Sequence, residues 1–423
     1  MRLVLNRVGT AIVLIALIVT STALSPVASV ASAASSAFAA SVVAAAPAQS
    51  TAQALFAGMP VAPAPSVAAR SAILAEAETG QILYELNADE RAAPASITKI
   101  MTMLLVMEHV EAGKISLDDQ VIVSRKASQM GGSQVYLKEK EVVSVNDLMA
   151  ATAIRSANDA SYALAEHVAG SAEAFVRLMN QRARELGMTS TNFENPEGLD
   201  DPNHYTTARD ILIMARELVR HEKVLQWTNT WIGSMRGGTY ELFNTNRLIR
   251  DYPGADGLKT GHTSQAGYCL AGTAVRDGVR LIAVVLGTAS ETERTRQTAR
   301  LLDYGFDNFE KVWFAKAGAD IGTVKVPTAV TVDVPVQAAS DVVAMVPKGA
   351  AEQVKLELRP VDPAPAAPVS QGQPLGTVAA VAPSGDDLAE APALAAAQVR
   401  RANIFVRVFR AIVNFFRALF RRG

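Results

Sequence analysis

Strand-like segments at both ends of a long helical middle limit what this chain can fold into more than any other feature. Near the front, Ser71 to Ala77 and Gln81 to Leu86 are short apolar stretches around a Glu78-Thr79-Gly80 turn, the pattern of a β-hairpin. Much later, Ala266 to Ala274 and Val279 to Gly287 repeat that pattern around Arg276-Asp277-Gly278, and a helical stretch from Thr292 to Phe306 follows. Between the two pairs, apolar residues recur at helical spacing over Ile97 to Ala112, Val145 to Val168 and Ala172 to Leu186, with Gly113 and Gly187 as stops. The pattern predicts an α/β body over residues 70–307, its sheet closed by N- and C-terminal strands and covered by helices.

After Phe309 the texture changes. Thr323 to Val326, Val330 to Val334 and Val354 to Leu358 alternate apolar and polar residues, which predicts short half-exposed strands in a small all-β domain over 308–380. Pro360 to Pro374 is Pro-rich and is expected to be a flexible loop; the Ala-rich residues 381–398 are expected to be a linker.

The two ends speak about location. Arg2 and Arg7 precede an apolar core from Ala11 to Val19 and an Ala31-Ser32-Ala33 site, the order of a secretory signal peptide over 1–33. An uncleaved anchor is the alternative, but a span needs ~20 apolar residues, and Thr20, Ser21 and Thr22 cut the run short. Residues 34–69 are Ala, Ser, Val and Pro with almost no charge and read as a linker. At the other end, 399–423 predicts a basic amphipathic helix without an acidic residue. Arg407, Arg410, Arg417 and Arg421 fall on one face, and Phe405, Phe409, Ile412, Phe416 and Phe420 on the other. Such a helix lies in a membrane interface; docking on the β domain or in an oligomer is the alternative.

Several function classes are excluded. A formal net charge of −1 gives no pull toward nucleic acid. The single cysteine, Cys269, sits in an apolar run and rules out a Cys-based metal cage. The five histidines show no metal-ligand spacing, and there is no Gly-rich phosphate loop, no H-E-x-x-H and no G-x-S-x-G. No cofactor and no metal are expected.

Three short elements carry chemistry together: Ser96-Ile-Thr-Lys99, Ser156-Ala-Asn158 and Lys259-Thr-Gly261. Alone, Ser96 is an ordinary helix N-cap. With Lys99 one turn on, an amine can reach back over its hydroxyl, and a serine nucleophile needs such a base. Lysine serves as that base when burial or a neighbouring cation lowers its pKa, and Lys259 could be that cation. Ser156 and Asn158 fall inside a predicted helix where neither is a good helix former, an inconsistency tolerated at functional sites. Ser144-Val-Asn146 and Ser190-Thr-Asn192 share the spacing, but Ser144 reads as a helix cap and Ser190 as part of a polar turn. Gly261 would let a substrate backbone approach a strand closely, and Lys259 with Thr260 could hold a carboxylate.

The runs Pro94 to Thr102, Ser156 to Asn158, Asp256 to Thr263 and Ala266 to Tyr268 resemble the low-molecular-mass penicillin-binding proteins, within them the D-alanyl-D-alanine carboxypeptidases of the peptidase S11 kind. Asn195 to Asp200 and Thr206 to Asp210 also resemble family segments. The resemblance implies the fold of serine β-lactamases and penicillin-binding proteins, followed by a small β domain and an anchoring helix. It implies acylation of Ser96 by the penultimate D-Ala of peptidoglycan stem peptides, with Lys99 as base, Ser156 as proton relay and Asn158 as positioner. Lys259, Thr260 and Gly261 would receive the substrate, with the backbone N–H of Ser96 and His262 as oxyanion hole. β-Lactams would acylate the same serine. The implied place of work is the periplasm, on the outer face of the inner membrane. A serine β-lactamase, a D,D-endopeptidase and an inert wall-binding scaffold are the competing readings. Two departures stand out: Ala157 where the family commonly has Gly, and Glu197 where many members carry His. Glu197 is either a modifier of acyl-enzyme hydrolysis or a solvated loop residue.

Overall fold

The computed structural model describes residues 54–363 and 365–420, with side chains at 411 and 414–420 left aside; the expected signal peptide lies outside the described residues. Strands Ser71–Glu76 and Ile82–Leu86 do join the late strands Ala255–Thr263, Gly267–Arg276 and Val279–Thr288 in one five-stranded sheet. All pairings are antiparallel, and Ser71–Glu76 lies directly against Val279–Thr288, with Ile73 opposite Val284.

Both faces of that sheet are covered, so alternate residues of one strand serve two cores. Ile73, Ile282, Val284 and Leu286 pack under the helix Lys99–Glu111 and the helix Ala208–Leu218. Leu74, Leu281, Ala283 and Val285 pack against Leu301, Leu302 and Phe306 of the helix Glu291–Asn308. Each such aliphatic residue contributes roughly 1.5–3 kcal/mol by leaving water. Cys269 is one of these fully buried core residues.

The helix expected from Val145 to Val168 is broken. Helix Val145–Ala150 passes into a π turn over Ala151–Arg155, Ser156 adopts a left-handed conformation (φ 62°), and a new helix runs Asn158–Ala169. The break has a local cause. Asn158 N–H donates to Ser133 O at 2.7 Å instead of to the preceding turn, and the Ser156 and Ala157 amides both turn back to Ala151 O.

The second domain is all-β, but its expected boundary is wrong. Residues 381–398 are not a linker: they contain Asp387–Ala395, the middle strand of a five-stranded antiparallel sheet. Ala391, Ala393 and Ala395 point into the core, because small residues fit where the sheet is packed closely. Composition hid a strand whose alternation is real. The described part of the expected 34–69 linker is corrected too. Phe56, Met59 and Val67 are buried, and the Phe56 ring sits 5.7 Å from that of Phe309 at the seam between the domains. Across the same seam Lys311 bonds Glu76 at 3.1 Å and also Glu78, and Gln81 exchanges two hydrogen bonds with the backbone of Met345.

Helix Ile404–Phe420 follows the β domain. Arg410 donates to the carbonyls of Ala329 and Val330 in the β domain, whereas Phe405, Val408, Phe409 and Ile412 are exposed. Among the described residues no helix is long and apolar enough to cross a membrane.

Candidate active site

Ser96 does not cap the helix. It sits in a 3₁₀ turn, Ala95–Thr98, just before helix Lys99–Glu111, and its hydroxyl accepts a hydrogen bond from Lys99 Nζ at 2.9 Å. The turn is held from outside. Ala95 has φ 48°, and a Cβ on Gly198 would lie 1.8 Å from Ala95 O, so only glycine lets the 195–200 loop press against the Ser96 turn.

Lys99 is fully buried, and all three of its donors are used: Ser96 Oγ, Asn158 Oδ1 at 2.7 Å and the Glu197 carbonyl at 2.5 Å. Burial pulls its pKa down to about 7, against the opposing charges of Glu197 and Asp159. An amine poised there is a competent general base at neutral pH. Burial, rather than the second cation expected at Lys259, is the main cause, and the repulsion between the two ammonium groups acts on both. Lys259 is held well below the usual lysine range by burial first, then by Lys99 and Arg294.

Asn158 links three parts of the site. Beyond Lys99, its Nδ2 donates to Gly131 O at 2.7 Å and its amide to Ser133 O, which fixes the loop facing Ser96. Asp159 beside it fastens the same loop by accepting from the amides of Val135 and Leu137 at 3.0–3.2 Å.

Strand Ala255–Thr263 is the edge of the large sheet and runs beside the Ser96 turn; a Cβ at Gly261 would stand 3.1 Å from Pro94 O. Ser96, Ser156, Thr260, Gly261 and His262 line one cavity of about 480 Å³, while Lys99, Asn158 and Lys259 are buried. Sequence reasoning missed several neighbours. Thr245 shares a 2.7 Å hydroxyl contact with Thr260, and Arg294 donates to Thr245 O at 3.2 Å and Gly261 O at 3.5 Å. Arg294 also keeps Nε buried without a partner. Neither residue belongs to a spacing pattern that a sequence could announce.

Glu197 is no solvated loop residue. It is 3% exposed, its Oε2 is buried without a hydrogen-bond partner, and burial raises its pKa to about 7 despite the nearby ammonium of Lys99. Among the described residues there is no cluster of His, Cys, Asp and Glu able to hold a metal ion.

A serine hydroxyl beside a buried amine, on an antiparallel sheet backed by helices, is an arrangement able to carry serine acyl transfer. The family model for D-alanyl-D-alanine carboxypeptidase matches residues 59–290, and that for the penicillin-binding protein 5 C-terminal domain matches 309–401. The chain belongs to the D-alanyl-D-alanine carboxypeptidase family, and it is a serine D,D-carboxypeptidase. It is 41% identical over 79% of its length to D-alanyl-D-alanine carboxypeptidase DacF of Bacillus subtilis, covering 86% of that protein. Penicillin-binding protein 5 of Haemophilus influenzae superposes with a TM-score of 0.75 at 34% identity, over 81% of this chain and all of that one. Penicillin-binding protein D2 of Listeria monocytogenes, solved in its ampicillin-bound form, matches 58% of this chain and all of that one, with TM-score 0.54 and 35% identity.

Proposed function

We propose that Ser96 Oγ attacks the carbonyl of the penultimate D-Ala of a peptidoglycan stem peptide as its proton passes to Lys99 Nζ. The C–O bond forms and the peptide C–N bond breaks. Ser156 relays a proton to the leaving D-Ala amine, and water then hydrolyses the ester and restores the serine. The contacts of Lys99 carry this reading. A neutral amine has two N–H donors and one lone pair. Donation to Asn158 Oδ1 and Glu197 O leaves the lone pair for the Ser96 hydroxyl.

The edge strand Ala255–Thr263 supports binding of the peptide as an added strand. Its terminal carboxylate would meet Thr260, Thr245, Lys259 and the unpartnered Nε of Arg294. The amides of Ser96 and His262 would hold the oxyanion. β-Lactams, which mimic D-Ala-D-Ala, would stop at the ester on Ser96; the ampicillin-bound relative supports this. Wild-type protein should take up fluorescent penicillin and release D-Ala from a pentapeptide. Ser96→Ala labelling as strongly as wild type would overturn the assignment.

The expected signal peptide and tail helix support export and attachment to the outer face of the inner membrane. Exposed Phe405 and Phe409 are the side chains that would enter the lipid interface. Truncation after Ala397 should free the mature protein from membranes; continued retention would sink the anchor.

A further inference from the structure

We propose that His204 is a positioning residue for acyl transfer: it clamps the Ser96 turn, through Thr98, to the loop whose Glu197 carbonyl accepts from Lys99. The inference rests on the roles given to Ser96 and Lys99 above and adds a part that their motif does not contain.

The clamp is a long-range contact. His204 Nε2 lies 3.0 Å from Thr98 Oγ1, across 106 positions of sequence. His204 is 2% exposed, and its ring stands edge-on to Phe193 with 5.7 Å between centroids. The other ring nitrogen, Nδ1, lies 3.5 Å from the amide nitrogen of Glu194. A backbone amide can only donate, so Nδ1 accepts, and Nε2 carries the proton and donates to the Thr98 hydroxyl. Burial supports a neutral ring: it draws the imidazole down to about 4, with Lys99 adding to the effect and Asp201 and Asp200 opposing it. One imidazole thus joins Thr98 on the Ser96 turn to Glu194 at the start of the loop.

What the clamp holds is the set of acceptors around Lys99. The loop meets the start of helix Lys99–Glu111 at two further points: Lys99 Nζ donates to Glu197 O at 2.5 Å and Thr102 Oγ1 to Pro196 O at 2.6 Å. Should the loop withdraw, Lys99 loses one acceptor, and its amine can turn its lone pair away from Ser96. A misplacement of ~1 Å at a reacting group costs on the order of 100-fold in rate. The backbone around His204 does not depend on the ring. Tyr205 pairs with Asn192 and Thr206 with Ala92, each by two backbone hydrogen bonds of 2.8–3.1 Å. The ring can therefore be altered while the pairing of its own segment stays intact.

The test follows acylation of the full mature chain by fluorescent penicillin and separates the rate constant at saturation from the amplitude. His204→Phe keeps a ring and removes both hydrogen bonds. Its rate constant should fall by about 10- to 100-fold, while the half-saturating penicillin concentration holds. His204→Gln, whose amide nitrogen reaches the place of Nε2, should recover most of the rate; His204→Asn, which reaches only the place of Nδ1, should not. Thr98→Val should match His204→Phe, and the double variant should fall no further than either single one. A folding defect lowers the amplitude, which counts the molecules able to label, and leaves their rate constant alone. The clamp is overturned by a wild-type rate in His204→Phe, by equal losses in the Gln and Phe variants, or by recovery in Asn as full as in Gln. A loss confined to amplitude, or losses that multiply in the double variant, overturn it too. Wild-type protein that fails to label sinks the Ser96 assignment and the clamp with it, whereas labelling that ignores His204 sinks the clamp alone.

Discussion

Lys99 in the catalytic cleft and Lys311 at the domain seam are both withdrawn from solvent, yet their surroundings push them in opposite directions. Lys99 faces a hydroxyl, an amide oxygen and a carbonyl, and burial lowers it to about 7. Lys311 has a side chain only 4% exposed; burial lowers it too, but the carboxylates of Glu78 and Glu76 outweigh that and leave it raised. The neutral oxygen acceptors of Lys99 satisfy its hydrogen bonds without ion-pairing it, and the nearby charges of Glu197 and Asp159 offset the burial only in part. The carboxylates at Lys311 both accept its hydrogen bonds and pair its charge. One environment lets the amine give up its proton near neutrality, the other holds it charged as a strut.

Three experiments can break this comparison. The largest effect is expected for Lys99→Met, which removes the base: penicillin acylation of Ser96 should fall by about 10²–10⁴-fold, the span of general-base catalysis. Acylation at the wild-type rate would mean that another group takes the serine proton. Lys99→Arg should fail as well, because a guanidinium keeps its proton.

Lys311→Met should do the converse. It leaves Glu76, 1% exposed, with a carboxylate oxygen stripped of its cation, at a stability cost of about 3–5 kcal/mol. Thermal unfolding should therefore shift to lower temperature while the acylation rate constant holds. A loss of acylation in folded protein would join the seam to the cleft and end the contrast.

The smallest effect concerns pH. Acylation should rise through a midpoint of about 7 as Lys99 loses its proton. Glu197→Gln removes an anion that holds the proton on, so the midpoint should move to lower pH. An unmoved midpoint would show that Glu197 acts through its carbonyl alone. The linked effect on stability has the same origin. Between about 7 and the ordinary lysine range the unfolded chain binds a proton that the folded chain does not, so the burial penalty of Lys99 fades as pH rises.

Much of the catalytic body was legible because its signals are local. The two hairpins and the helix Ala172–Glu185 follow from period and turn residues a few positions apart. The three motifs were legible for the same reason, each fitting within four residues. The strand Asp387–Ala395 was not: its inward residues are alanines, whose small contrast with their neighbours hides a period of two. The break at Ser156 was not either, since it follows from a hydrogen bond to Ser133, which belongs to a different element.

By itself the chain's order of residues determined which side chains could do acyl chemistry, and that strands from its two ends enclose helices. Only the tertiary structure decided that Lys99 is stripped of water, that the Glu197 carboxyl is buried close to it, and that Arg294 and Thr245 stand beside Thr260. Proton affinity and hydrogen-bond partnership depend on distance through space and on exclusion of solvent. Neither quantity exists until residues far apart along the backbone have been packed together.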